Sequence, residues 1–285
     1  MARRRCWDHD WVLDLDIKSF FDEIDWNLLM RAVRRHTDCK WVLLYLERWL
    51  KAPVSMPDGA LVNRERGTPQ GAVVSPVLAN LFLHYAFDCW MRREHSDIPF
   101  ERYADDAICH CQSEAQALEL RQALEQRFAE CLLQLHPQKT KVVYCKDANR
   151  PGQYPERSFD FLGYTFGPRW SPRTGNQYIG YGPSTKSVGK ITEKVSELLD
   201  RSGIKPWEEV CGKLNQKLRG WKQYFSRGSI STAYRAVDAH VEERVRHFLR
   251  KRHKVSSQGT RQFSREQVYG VRGVYRLQTP DCAHS

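Results

Sequence analysis

Two adjacent carboxylates, Asp105 and Asp106, sit in the middle of Glu101-Arg102-Tyr103-Ala104-Asp105-Asp106-Ala107-Ile108-Cys109-His110-Cys111, between short runs that alternate or are apolar. A β-hairpin presents acidic residues in this way. Period-2 geometry sets Tyr103 and Asp105 on one face, Ala104 and Asp106 on the other. Neighbouring like charges repel, and burying them unpaired is costly, so a divalent cation is the usual remedy. Taken alone the dipeptide also fits a solvated turn; the rest of the chain decides between the two.

A second acidic strand lies near the front. Trp11-Val12-Leu13-Asp14-Leu15-Asp16-Ile17 alternates apolar and acidic residues, which puts Asp14 and Asp16 on one face. Acidic side chains at a strand's C-terminal end are well placed to hold a cation over a sheet. A turn then opens a helix through Arg35, and a second helix is expected over Lys40–Leu50. Gly67-Thr68-Pro69-Gln70-Gly71 is a loop in which proline fixes one φ and glycines permit close backbone approach. Ser75-Pro76 has the form of an N-cap with proline at the first helical position, starting a helix to Arg93. Ser113 and Gln116 have capping-box spacing ahead of a helix to Leu133. Lys139–Tyr144 and Phe159–Phe166 read as strands, the latter as a strand or tight hairpin. From Thr185 the pattern turns helical, over Val188–Leu199, Trp207–Phe225 and Ser231–Lys251. The class is therefore α+β: a helix-covered antiparallel sheet of the split βαβ kind, then a helical region.

Charge divides the chain in the same place. Residues 186–285 carry 21 Lys and Arg against 10 Asp and Glu, whereas residues 1–185 balance 24 against 24, so the whole net charge of +11 lies in the last hundred residues. A neutral front half with acidic clusters and a basic rear half suit a catalytic unit joined to a polyanion grip. The nine cysteines form no CxxC pair, and Cys109-His110-Cys111 lacks a second cluster to complete a zinc site, so reduced thiols and a cytoplasmic location are expected. Ala2-Arg3-Arg4-Arg5 has no apolar run behind it, and no stretch of about 18 apolar residues is present, so no membrane association is expected.

In this order the residues resemble the reverse transcriptase/maturase proteins encoded by group II introns. Leu15-Asp16-Ile17-Lys18-Ser19-Phe20-Phe21-Asp22 is similar to the first palm motif, and Gly67-Thr68-Pro69-Gln70-Gly71 with Ser75-Pro76 to the second. Tyr103-Ala104-Asp105-Asp106 resembles the third, Leu135-His136-Pro137-Gln138-Lys139-Thr140-Lys141 the fourth, and Phe161-Leu162-Gly163-Tyr164 the primer grip. The resemblance implies a right-hand polymerase palm over residues 1–184, a helical thumb/maturase domain over 185–256 and an irregular tail over 257–285. It implies an RNA-directed DNA polymerase working on an RNA template, a DNA primer and deoxynucleoside triphosphates, with intron RNA as a further partner. Its family members carry a fingers region upstream of the first motif, which here begins within about ten residues of Met1. The chain is therefore expected to be a truncated or degenerate reading frame or a fragment that needs a second chain for its fingers region, and the sheet is expected to expose apolar surface.

The resemblance also assigns roles. Asp16 and Asp105 are the bridging ligands of two magnesium ions, Asp106 is the third carboxylate, and the Ile17 carbonyl completes the set. Asp14, Asp22 and Asp25 are left to structure, capping or solvent. Phe21 lies against the sugar, where a ring excludes a 2′-hydroxyl; Gln70 and Gly71 contact the nucleotide or template. Lys139 is the general acid for the leaving pyrophosphate, with Lys141 as the alternative on the same strand face. Lys213, Lys217, Arg219, Lys222, Arg250, Lys251 and Arg252 form the RNA-binding surface. Ala72 stands where a second glycine is usual, and no Cys/His array of an endonuclease domain follows. Two other readings remain: a non-catalytic maturase remnant, and a related reverse transcriptase of phage defence or spacer acquisition.

Overall fold

The alternating stretch Trp11–Leu15 is a strand, and everything in the first half of the molecule is built on it. The computed structural model describes residues 2–278 except Met56, Pro57, Gln70, Pro151, Ile204 and Ser256. The chain forms two units, residues 1–162 with 167–179, and residues 163–166 with 180–285. It runs α1 (Ala2–Asp8), β1 (Trp11–Leu15), α2 (Phe20–Glu23), α3 (Trp26–Val33), α4 (Lys40–Lys51), β2 (Val54–Ser55) and β3 (Leu61–Val62). Next come α5 (Ser75–Leu83), a π-helical turn (His84–Asp88), α6 (Cys89–Glu94), β4 (Phe100–Tyr103), β5 (Asp106–Cys111), α7 (Glu114–Glu130), β6 (Lys141–Tyr144) and β7 (Phe159–Phe161). β8 (Tyr164–Trp170), β9 (Gln177–Pro183), α8 (Thr185–Asp200), α9 (Trp207–Tyr224), α10 (Ser231–Arg252) and a second π-helical turn (Gln267–Val271) complete the order.

The main sheet has the order β4-β5-β1-β6, and each neighbouring pair is antiparallel. Asp14 of β1 lies opposite Ile108 of β5 and Lys141 of β6. Residues opposite one another share a face, so alternation sorts the side chains. Trp11, Leu13, Leu15, Ala107, Cys109 and Cys111 join helix residues such as Leu29, Leu83, Leu124 and Phe128 in the main core. Val12, Asp14, Asp106, Ile108, His110 and Lys141 take the other face. Leu13 is fully buried, and replacing it by alanine costs ~2–5 kcal/mol.

Several local expectations are corrected. The helix expected to run through Arg35 is two, because Ile24 and Asp25 leave helical geometry and the Asp25 carboxylate accepts a hydrogen bond from the Leu28 N–H at 2.8 Å, capping α3. Ser75 is not an N-cap: it is the first residue of α5, and its hydroxyl donates to the Pro69 carbonyl at 2.6 Å, closing the preceding loop. The helix expected to reach Arg93 is interrupted by the π turn. Of the capping box the N-cap half holds, with the Ser113 hydroxyl accepting from the Gln116 N–H at 3.1 Å, while the Gln116 side-chain oxygen accepts from the Gln112 N–H at 2.8 Å. The elements α1 and β9 lie outside the sequence-based expectations. Trp41, Tyr45 and Trp49, at helical spacing on α4, stay exposed.

In the second unit Ile191, Val195 and Leu199 of α8, Val210, Leu214 and Leu218 of α9, and Val237, Val241 and Val245 of α10 recur every fourth residue and form one core. Residues beyond α10 are tied to it: Phe263, Val268, Val274 and Leu277 are buried, and the buried Asp238 carboxylate accepts from the backbone N–H groups of Leu277 and Gln278 at 2.8 and 2.9 Å. Among the described residues no helix is long and apolar enough to cross a membrane, and every cysteine is a free thiol.

Candidate active site

The β1–β5 register, continued by one residue, brings Asp16 opposite Asp106; the β1–β6 register, continued by two, brings it opposite Lys139. Backbone bonds hold Asp16 there. Its carbonyl accepts from the His136 N–H at 2.8 Å, the Thr140 hydroxyl lies 3.4 Å from its N–H, and Ile17 bridges to Leu135. The Lys139 ammonium sits 3.2 Å from the Asp16 carboxylate. That lysine is 62% exposed, so the pair adds little to stability and the side chain can swing away. Lys141 instead pairs with Glu156 at 3.0 Å.

Asp105 lies in the two-residue turn between β4 and β5, beside Ala104, whose φ of 55° is in the left-handed region. An L-residue there is strained by roughly 1–2 kcal/mol. Arg102 compensates. Its guanidinium donates to the Ala104 carbonyl at 2.7 Å and to the Asn80 side-chain oxygen at 2.9 Å. It also holds both carboxylate oxygens of Asp88, at the end of the π turn, at 2.7 Å each. Nothing in the sequence marks this clamp.

On the same sheet face the carboxylates crowd. Burial, and then the charges of Asp106, Asp160 and Asp16, push Asp14 up to about 7 against the opposing pull of Lys141. Burial likewise pushes Asp106 up to about 6, opposed by the Leu162 N–H and helped by the charges of Asp105, Asp16 and Asp160. The structure thus sets Asp106 within electrostatic reach of Asp16 and Asp105, and Asp14 and Asp160 join them. The expectation that Asp14 serves structure, capping or solvent does not describe its surroundings. Its place on the Asp16 face was the signal for it; for Asp160, between Phe159 and Phe161, the only signal was strand alternation.

Such a set, all oxygen donors and short of positive charge, fits a hard divalent cation. Among the described residues no three of His, Cys, Asp and Glu converge closely enough to hold an ion by themselves. Magnesium commonly takes one or two carboxylates and completes its shell with water and substrate phosphates, so two aspartates suffice.

Residues 3–166 match the family described as reverse transcriptase (RNA-dependent DNA polymerase), more than half of the chain. The chain belongs to the reverse transcriptase family. Residues 188–267 match the maturase-specific domain of group II introns, which places it among the group II intron members. Protein YkfC of Escherichia coli (strain K12) is 34% identical over 85 residues, 30% of this chain and 22% of that protein. A Saccharomyces cerevisiae protein named for intron 2 of COX1/OXI3 is 32% identical over 74 residues, 26% of this chain and 9% of that one. The chain therefore spans less than a quarter of the length of these relatives. A Candida albicans telomerase solved with a fragment of telomeric RNA aligns over 98% of this chain and 55% of its own, with a TM-score of 0.45 and 10% identity.

In the reverse transcriptase unit the first and second motifs are stitched together. The Thr68 N–H donates to the Phe21 carbonyl and the Gly67 N–H to the Ile24 carbonyl, both at 2.7 Å. Gly67 has φ 80°, and a Cβ there would lie 2.7 Å from the Asp22 carbonyl oxygen, so only glycine fits. Of the two candidate rings, Phe20 is core, while Phe21 is half-buried and meets it edge-on at 5.3 Å. Gly71 has φ 86° with open space around it. Gln70 lies outside the described residues.

In the maturase unit the predicted basic residues divide. Lys213 pairs with Glu209 at 2.7 Å, Arg219 and Lys222 lie over the Tyr275 ring at 5.2 and 5.3 Å, and Arg252 donates to the Lys205 carbonyl at 2.6 Å. Lys217 and Lys251 are exposed, and Arg250 is half-buried. Gly163 and Tyr164, of the stretch that resembles a primer grip, are fastened within this unit: the Ser187 hydroxyl donates to the Gly163 carbonyl at 2.8 Å, and the Tyr164 hydroxyl to the Tyr224 carbonyl at 2.7 Å.

Proposed function

We propose that the chain carries out RNA-templated DNA synthesis, adding deoxynucleotides to a primer 3′-hydroxyl, and that its maturase unit binds intron RNA. The observation that carries this reading is the carboxylate cluster in which Asp14, Asp16 and Asp106 share a sheet face with Asp105 in the adjoining turn and Asp160 of β7 nearby, and in which burial and mutual repulsion raise Asp14 and Asp106. Asp16 and Asp105, with Asp106 and the Ile17 carbonyl, would hold two magnesium ions. When bound, the ions supply activation of the primer hydroxyl and neutralisation of the triphosphate.

The remaining work falls to the chain. The primer hydroxyl gives its proton to solvent as its oxygen attacks the α-phosphorus and the bond to pyrophosphate breaks, and Lys139 gives its proton to the leaving oxygen. Phe21 excludes a ribose 2′-hydroxyl by contact. Gln70 and Gly71 contact the nucleotide or template. Asp14 and Asp160 add negative charge that favours cation capture without being assigned as ligands. Lys217, Arg250 and Lys251, with the other basic residues of α9 and α10, neutralise RNA phosphates. The maturase-specific match supports the intron setting over a role in defence.

The test is primer extension by the full chain on an RNA template, with deoxynucleotides and magnesium or with a chelator. Extension only with magnesium is expected. A folded chain that binds RNA yet extends nothing would point instead to a maturase remnant.

A further inference from the structure

The first half of the chain is neutral in sum, yet its charges are segregated. Acid gathers on one face of the sheet, and on the helical side a cavity of about 430 Å³ opens between α3, the π turn with its flanking helices, and the end of α7. Arg31, Arg35, Arg93 and Arg127 reach it, with Tyr85 and Trp90 among its walls. That volume is within the range of clefts that take small organic groups, roughly 300–1,000 Å³.

Two of the four guanidiniums are compensated. Arg127 pairs with Glu130 at 2.9 Å and Arg93 with Glu94 at 2.6 Å. Among the described residues neither Arg31 nor Arg35 has an ion-pair partner, and both are exposed; Arg35 lies over the Tyr85 ring at 5.5 Å. The π turn is the second observation. Such turns break the helical hydrogen-bond pattern and recur at functional sites. Here the carbonyls of Tyr85 and Ala86 accept from the Arg127 guanidinium at 3.2 and 3.0 Å. The Tyr85 hydroxyl lies 2.9 Å from the His36 ring nitrogen. The turn thus fixes both an arginine and an aromatic ring at the cavity.

We propose that this cavity is a second RNA site, taking backbone phosphate on Arg31 and Arg35 with an unpaired base or its sugar against Tyr85 and Trp90. The planar guanidinium fork matches phosphate oxygens, and unstacked bases settle on aromatic and guanidinium planes. A carboxylate-bearing peptide could use the arginines but has less use for two rings set beside them. The site stands on the sheet face opposite Asp14 and Asp106, so bound RNA there does not compete with the carboxylate cluster. The proposal rests on the reading that this chain binds RNA.

The test is fluorescence anisotropy of a short single-stranded RNA with the full chain across a salt series, comparing wild type, R31A/R35A and R31K/R35K. Both positions are exposed, so an unchanged thermal midpoint is expected. The alanine pair should weaken binding about tenfold and make the log–log salt slope shallower by about 0.7 for each phosphate no longer neutralised. The lysine pair, charged but without the fork, should fall between. Unchanged affinity and slope in R31A/R35A, with wild type binding RNA, would overturn the site while leaving the general reading intact. Failure of wild type to bind RNA would overturn both. Binding of poly-glutamate that the alanine pair abolishes, with RNA binding unaffected, would assign the cavity to an acidic protein partner and overturn the RNA class.

Discussion

Asp88→Ala removes the base of the clamp that holds the Asp105 turn. Arg102 and Asp88 are 11% and 12% exposed and share two hydrogen bonds of 2.7 Å, so the substitution strands a nearly buried guanidinium. Breaking such a pair costs about 3–5 kcal/mol, a large part of a total stability of about 5–15 kcal/mol. The guanidinium's hydrogen bond to the Ala104 carbonyl helps keep Ala104 at φ 55° and Asp105 at the head of the turn. If the turn relaxes by about 1 Å, turnover falls about a hundredfold. Asp88→Asn retains one acceptor and should lose less of both. The assay pairs urea unfolding with single-turnover nucleotide incorporation, scored per folded molecule. A loss of stability with the incorporation rate intact would refute the argument that Arg102 positions Asp105. A loss below about 1 kcal/mol would refute the argument from burial.

Phe21→Ala should reduce discrimination against ribonucleotides by at least about tenfold in kcat/KM, and unchanged discrimination would release Phe21 from the sugar role. Gly67→Ala and Gly71→Ala separate strain from collision: both need positive φ, but only at Gly67 does a Cβ meet backbone, 2.7 Å away. Denaturation should show roughly 1 kcal/mol lost at Gly71 and clearly more at Gly67. His110 is fully buried, its Nε2 lies 2.6 Å from Glu101, and burial, outweighing Glu101, holds its pKa below the ordinary 6.5. With the folded value below the unfolded one, stability is whole above pH 6.5 and is lost as pH falls through the folded value. The unfolding midpoint followed downward from about pH 7 should show that loss, and His110→Gln should flatten it.

What could be read from the chain was local. Alternation in Trp11–Ile17 located β1 and put Asp14 beside Asp16, and a hairpin at Asp105-Asp106 followed from its flanking runs, but alternation carried through Ala104-Asp105 put Tyr103 and Asp106 on opposite faces, whereas the turn there leaves them directly opposite one another on one face. The Ser113–Gln116 box starts α7 because both partners lie within one turn. The features that escaped depend on pairing across the chain. Asp14 acquires its raised pKa from burial and from Asp106 and Asp160, which only the sheet brings near. Arg102 meets Asp88 through a π turn that has the same apolar spacing as an ordinary helix. Even charge counting, which located the basic half, averaged away Arg31 and Arg35, because acidic residues elsewhere in the first half cancel them in the sum without pairing with them.

The most direct test of the catalytic assignment is single-turnover primer extension by Asp16→Asn and Asp105→Asn, each beside wild type, with RNA affinity measured on the same preparations. Asparagine keeps the size and removes the charge, so the account predicts that extension falls at least about a thousandfold in each while RNA affinity stays within about twofold. Either variant extending the primer at the wild-type rate would contradict it.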